Sequence, residues 1–211
     1  MSKLPRRPDL DRLRALEPDI IELPAGTELH RIYFRGGKHP TLWNAFRFFG
    51  PTNARFDHHQ PDEDGEGQMQ ERGVAYYAPL AITCLAEVFQ GPPRFINRDR
   101  RKPWLVAFQL QSPVSLLDLT GKFALRAGAS MKLMTGPKSY SQNWSRGLYD
   151  VYAEIHGLYY PSSLTNEPTI ALNERAKPVF PPTPSFNRPL SDPALLTPLR
   201  NASRKIHYGL L

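Results

Sequence analysis

The chain has 211 residues, enough for one domain with a sizeable core and too few for two without a clear linker. Lys and Arg number 27 against 20 Asp and Glu, and the resulting net charge of +7 favours anionic partners such as nucleotides, nucleic acid or an acidic protein. The lone cysteine, Cys84, excludes an intramolecular disulfide and points to a reducing compartment, while the lack of a long apolar run or a signal-peptide core in "MSKLPRRPDLDRLRAL" leads us to expect a cytoplasmic protein without a membrane span.

In chain order, residues 8–17 place Leu10, Leu13 and Leu16 on one helical face, with Pro8 and Asp9 as entry signals and Pro18 as a stop. Residues 1–25 are therefore expected to form a docking helix and a lead-in. "GTELHRIYF" (26–34) reads as a strand with Leu29, Arg31 and Tyr33 on one face and His30, Ile32 and Phe34 on the other. An arginine between two apolar neighbours is unusual there; either its stem packs while its head reaches water, or it serves a site. "DHHQPDEDGEGQMQE" (57–71) carries six acids and no Lys or Arg, so an exposed polar loop is expected. His58, His59 and Asp62 suggest a metal, but adjacent histidines point apart in extended chain and metal ligands must converge, so no metal is assigned.

"AYYAPLAITCLAEVFQ" (75–90) reads as a strand end that turns at Pro79 into a helix. Leu80, Cys84 and Val88 form an apolar row widened by Leu85 and Phe89, with Cys84 as a core thiol and Glu87 at the edge of the stripe. A salt bridge from Glu87 to Arg31 or Arg55 is its plain structural explanation. "PPRFINRDRRKP" (92–103) gathers five basic residues around Asp99 and reads as a solvated turn. "WLVAFQL" (104–110) and "VSLLDL" (114–119) are two strands, 139–156 is a helix ended by Gly157, and "LYYPSS" and "TIALN" are two further strands. From Pro178, "PVFPPTPSFNRPLSDPALLTPL" holds seven prolines without helical or strand period. The expectation is a domain spanning 26–176 and a tail, 177–211, that wraps the surface or stays mobile. Strands on both sides of short helices, without a βαβ rhythm or a glycine-rich phosphate fingerprint, argue an α+β fold and against a Rossmann site.

The spread of these segments resembles the RES-domain family, named for an arginine, a glutamate and a serine. "LHRIYF" resembles the family's opening strand and places its arginine at Arg31; "FGPTNARFDHH" resembles a glycine-then-arginine-aromatic segment and places that arginine at Arg55. "VAYYAPLAITCLAEVF" supplies Tyr76, Leu85 and Glu87, and "HGLYYPSS" supplies Ser162, in matching order and spacing over about residues 28–173. Phe56 and Asp57 stand where the family commonly has tryptophan and asparagine. The resemblance implies an ADP-ribosyltransferase-like split β-sheet core with flanking short helices. It also implies NAD as substrate, the role of toxin in a toxin–antitoxin pair, and an Xre-type antitoxin as partner.

Those residue types suit cleavage of the nicotinamide–ribose bond, which passes through an oxocarbenium-like sugar. Glu87 would face that charge, Arg31 would hold the pyrophosphate with Arg55 as a second candidate, Tyr76 would stack on nicotinamide or bond its ribose, and Ser162 would bind the substrate's polar edge. The acceptor stays open: water makes a glycohydrolase, phosphate a phosphorylase, and a protein side chain an ADP-ribosyltransferase. A nucleic-acid-binding module is the reading from a different class, with Arg31 and Arg55 as backbone contacts, but no recognition motif accompanies the charge and Glu87 would have no task.

Overall fold

Each strand expected from the β-branched and aromatic runs is present in the computed structural model, which describes residues 7–211. The elements run α1 (Leu10–Arg14), β1 (Ile20–Leu23), β2 (Glu28–Phe34), β3 (Arg47–Gly50), β4 (Gln68–Tyr77), α2 (Ala81–Val88), β5 (Phe95–Ile96), β6 (Pro103–Gln109) and β7 (Val114–Asp118). They continue α3 (Phe123–Arg126), α4 (Lys132–Thr135), α5 (Lys138–Val151), β8 (Gly157–Pro161), β9 (Pro168–Asn173), β10 (Phe186–Pro189), α6 (Leu196–Lys205) and β11 (Gly209–Leu210). Of the expected N-terminal segment, the first six residues lie outside the described ones. Its helix is capped as the sequence suggests, with the Asp9 carboxylate accepting from the amides of Asp11 and Arg12, both at 3.1 Å.

The fold is α+β. Six strands form one sheet in the order β1-β7-β8-β9-β4-β3, and three form a second in the order β10-β6-β2. Their inner faces meet in a core where Leu29, Tyr33, Val106 and Phe108 of the small sheet pack on Ala75, Tyr77, Ile170 and Leu172 of the large one. Strand alternation sends the opposite residues outward into two further layers. Val74, Leu117, Leu158 and Ala171 pack under Trp144 and Leu148 of α5, while Ile32 packs with Leu85 of α2 and Leu199 of α6. Each such large side chain, fully buried, stabilises the fold by roughly 1.5–3 kcal/mol. No described helix is long and apolar enough to cross a membrane.

The two sheets are joined at one point, and that point shapes the site. His30 of β2 exchanges backbone hydrogen bonds of 2.8 and 3.0 Å with Ala78, just beyond the end of β4. The sheets diverge from there, and α2 starts in the opening.

Several expectations are corrected. Helix α2 is capped by Leu80 rather than begun by Pro79, and of the row Leu80, Cys84 and Val88 only Cys84 is buried. Helix α5 ends at Val151, and Gly157 instead opens β8, where a side chain would come within 2.1 Å of the Ala171 carbonyl oxygen. The acidic stretch 57–71 is exposed only beyond its start: Asp57, His58 and His59 are buried. In the basic turn Arg94, Arg100, Arg101 and Lys102 are exposed as expected, and Arg98 is the exception, donating to the carbonyls of Leu190 at 2.9 Å and Ser191 at 3.1 Å.

The largest correction concerns the proline-rich segment, which neither wraps loosely nor stands apart. Strand β10 pairs with β6, and Leu190, Leu195, Leu199 and Tyr208 complete the core beneath α2. Its prolines sit where the backbone tolerates them: Pro189 ends an edge strand, and Pro193 and Pro198 occupy first turns whose amides have no helical partner.

Candidate active site

Along β4, alternation turns Tyr77 into the core between the sheets and Tyr76 to the other side. The chain then rises through Pro79 into α2, whose residues Thr83–Ala86 are buried and hold the helix in place. The Cys84 thiol donates to the His30 carbonyl at 3.2 Å, and burial pushes its pKa up to about 12, so it stays protonated and structural. With that turn anchored, the next position, Glu87, is carried to the lip of the gap between the sheets.

Glu87 does not pair with Arg31 or Arg55, contrary to its plain structural explanation. Its Oε1 accepts a hydrogen bond of 2.6 Å from the Ser162 hydroxyl, and Oε2 accepts from Gln90 Nε2 at 3.3 Å. Ser162 is itself fixed: it is buried in the turn after β8, and its Oγ accepts from the amides of Leu164 at 3.1 Å and Thr165 at 3.2 Å. With both lone pairs engaged, the hydroxyl proton has one direction left, toward the carboxylate. The Glu87 oxygen is thereby locked in place, with a charge-assisted bond of the strong class.

Two cavities meet at Glu87. One, of about 250 Å³, is lined by Asn53, Arg55, Gln90, Lys138 and Tyr160; the other, of about 160 Å³, is lined by Arg31, Ile32, Tyr77, Thr83 and Cys84. Tyr76, Glu87, Val88 and Thr169 line both. Each cavity holds one arginine that is anchored by a single nitrogen. Arg31 Nη1 donates to the carbonyls of Trp43 (3.0 Å) and Ala45 (2.8 Å) and to Tyr77 OH (3.2 Å). Arg55 Nη1 donates to the carbonyls of Leu133 (3.0 Å) and Gly136 (3.1 Å). Burial lowers the pKa of Arg55, against the opposing influence of Tyr160 and Glu87, yet a guanidinium stays charged in a protein. Both arginines line a cavity that also holds a carboxylate, a poor arrangement for the backbone of a nucleic acid.

Tyr76 lines both cavities, while its hydroxyl is buried on the side of Arg47 and Asp57 rather than open to them. Burial raises its pKa, with Asp57 adding to the effect and the neighbouring Arg47 opposing it, so the hydroxyl stays neutral. Of the expected site residues, then, Arg31, Arg55, Tyr76 and Glu87 line the cavities. Ser162 does not: its neighbour Ser163 does, and the Ser162 hydroxyl acts on Glu87 instead of being free for a substrate edge.

Sequence reasoning missed Lys138, Gln90, Tyr160 and Thr169. Lys138 opens α5 and donates to the Asn53 carbonyl at 3.0 Å; nothing local ties it to a site 83 positions and more from Arg55 by chain order but adjacent in the cavity wall. Behind the site lies a second buried cluster that read as loop. Asp57 Oδ1 is 2.5 Å from His59 Nδ1, and Oδ2 accepts from Arg47 at 2.8 Å and the Thr52 amide at 2.7 Å. Burial alone would raise the Asp57 pKa, but His59 and Arg47 outweigh it and hold the carboxyl well below the usual range. Among the described residues no three His, Cys, Asp or Glu side chains converge in a way that would hold a metal ion.

Two facing sheets flanked by short helices, with a serine-clamped carboxylate between two arginine-bearing cavities, define an α+β protein with a two-chambered site whose mainly apolar walls carry a few placed polar groups. The family model for the RES domain matches residues 28–191, and the chain belongs to that family. The match continues past residue 173 into the proline-rich segment, in keeping with the pairing of β10 in the fold. In three dimensions the chain is similar to one in the crystal structure of the M. tuberculosis MbcT–MbcA toxin–antitoxin complex, with a TM-score of 0.56 and 16% identity over 91% of this chain and 96% of that one. That likeness establishes the shared fold. No curated protein matches the chain closely enough in sequence to count as a relative.

Proposed function

We propose that this chain cleaves the nicotinamide–ribose bond of NAD, by hydrolysis or phosphorolysis, and acts as the toxin of a toxin–antitoxin pair. The observation that carries the reading is the Glu87 carboxylate, fixed by Ser162 at 2.6 Å where the two cavities meet. In the reaction the C–N bond breaks with its electron pair leaving on nicotinamide, which becomes neutral, and positive charge develops on the ribose. An ionised carboxylate already oriented toward that charge lowers the barrier without reorganising, an effect of roughly 3 kcal/mol for one well-placed group. The acceptor then adds its lone pair to the anomeric carbon and loses a proton. Water gives ADP-ribose, phosphate gives its 1-phosphate ester, and a protein side chain would make the same site an ADP-ribosyltransferase.

The remaining groups suit the rest of such a substrate. Arg31 and Arg55 each keep part of a planar donor fork beyond the nitrogen bound to backbone carbonyls, suited to pyrophosphate oxygens, with Arg31 the first choice. Tyr76 offers its aromatic ring where the two cavities meet. Membership of the RES-domain family and the fold shared with a chain of a toxin–antitoxin complex support the toxin role, with an Xre-type antitoxin as partner and the cytoplasm as the place of action. An acidic or carboxylate-ended segment of that partner would meet the same arginines that serve the substrate. Expression of the chain alone in a bacterium tests this: cellular NAD and growth should fall, and co-expression of the protein from the adjacent reading frame should restore both. Normal NAD and growth alongside accumulated, folded protein would end the proposal.

A further inference from the structure

A third cavity, of about 420 Å³, opens beside the two that meet at Glu87, and nothing so far gives it a task. Val88, the residue after Glu87, lines all three. Strand β2 ties the third to the chamber of Arg31. Ile32 lines that chamber, and Phe34, two residues on and on the same face of the strand, lines the new groove. The step between them is roughly 7 Å.

The groove has walls of two kinds. Phe34, Phe89 and Phe95 give aromatic surface, with Phe95 40% exposed. Arg100 and Arg101 are exposed at its rim, and the Arg101 guanidinium lies over the Phe34 ring, 4.2 Å from its centroid. Rings and guanidinium groups together make a stacking platform for a flat, π-rich heterocycle. Asn97 adds a polar edge. Its Oδ1 accepts from the amides of Asp99 (3.1 Å) and Arg100 (2.7 Å), which leaves its NH2 group to donate to a ring nitrogen.

Size and order decide the occupant. The chambers of about 250 and 160 Å³ each fall below the roughly 300 Å³ at which pockets for a single drug-sized ligand begin, and NAD is two joined nucleotides. With the nicotinamide ribose at Glu87 and the pyrophosphate at Arg31, the adenosine has to pass out of the Arg31 chamber. The next space along β2 is the aromatic groove.

We propose that this groove binds the adenosine end of NAD, with the base stacked against Phe95 and Asn97 at its edge. This rests on the NAD-cleavage reading and adds to it a site for the part of the substrate remote from the bond that breaks.

Gly91 lines the groove, and a Cβ added there meets no atom within 4 Å, so Gly91→Trp fills the groove with little disturbance of its walls. The test compares wild type, Gly91→Trp and Phe95→Leu, each shown to be folded by thermal unfolding. The substrates are NAD and nicotinamide mononucleotide, which keeps the scissile bond and lacks the adenosine; ADP serves as competitor. Wild type should prefer NAD by about a hundredfold or more in kcat/KM, because remote binding energy is used at the reacting centre, and ADP should compete with NAD. In Gly91→Trp that preference and the affinity for ADP should each fall by about tenfold or more. Phe95→Leu keeps the apolar packing and loses the ring, and should lower both by about fivefold. Equal kcat/KM on the two substrates in wild type, ADP that does not compete, or folded variants that match wild type in both measures would each overturn the inference while leaving NAD cleavage intact. A folded wild type that does not cleave NAD removes the functional reading and this inference together.

Discussion

Replacing Ser162 by alanine deletes one oxygen that makes three hydrogen bonds: 2.6 Å to Glu87, and 3.1 and 3.2 Å from the amides of Leu164 and Thr165. The bond to the carboxylate is of the charged kind, with a net worth of about 1.5–3 kcal/mol. The two amides belong to a turn at the surface, where water can replace the serine and add little to the loss. A stability decrease of about 2 kcal/mol follows. The kinetic effect comes from the same bond. Without it Glu87 is held only by Gln90, at 3.3 Å, and a carboxylate displaced by about 1 Å from the developing charge would lower kcat by about a hundredfold. Because Ser162 lines neither cavity, KM for NAD should stay within about twofold. Initial-rate kinetics of nicotinamide release and urea unfolding measure both quantities on one preparation. A folded Ser162→Ala protein with unchanged kcat would refute the positioning role, and a rise in KM alone would make Ser162 a substrate contact instead.

Acid should destabilise the fold through His58. Burial, helped by His59, pushes its pKa from 6.5 down to about 3, so the unfolded chain takes up a proton that the native state refuses between those values. Stability therefore rises with pH in that window and falls by about 1.4 kcal/mol per unit of acidification below pH 6.5. Asp57, whose native pKa is depressed, acts in the same direction at still lower pH. Thermal unfolding of wild type and His58→Gln as a function of pH checks this, and an equally steep dependence in the variant would count against it. Leu190, fully buried under α2, should cost about 3 kcal/mol when replaced by alanine, a loss seen in the urea midpoint if the proline-rich segment is part of the folded core. A midpoint shift below about 0.5 kcal/mol would return that segment to the surface.

The parts of the molecule legible in its sequence are those whose signal is local. The alternation in "ELHRIYF" placed Leu29 and Tyr33 in one core layer and Ile32 in another, as the structure has them. The apolar stretch before Glu87 set that carboxylate at the edge of a buried stripe. What was hidden depends on long-range contact. Ser162 and Glu87 are 75 positions apart, and nothing in either segment shows that the hydroxyl would be spent on the carboxylate. Asp57 and the two histidines read as solvated because charge predicts exposure, but Arg47 and the Thr52 amide satisfy Asp57 and allow burial. The segment after Pro178 lost its periodicity to prolines placed at an edge strand and in first helical turns, where they do no harm.

The central claim is that the carboxylate of Glu87 drives loss of nicotinamide from NAD, and the most direct measurement is nicotinamide released from NAD by purified wild type and Glu87→Gln, with and without inorganic phosphate. The amide keeps the shape of the side chain and removes its charge. Wild type should release nicotinamide in step with NAD loss, and the folded variant should be slower by at least about a hundredfold. Intact NAD in the presence of folded wild type, or a Glu87→Gln protein that releases nicotinamide as fast as wild type, would contradict the account.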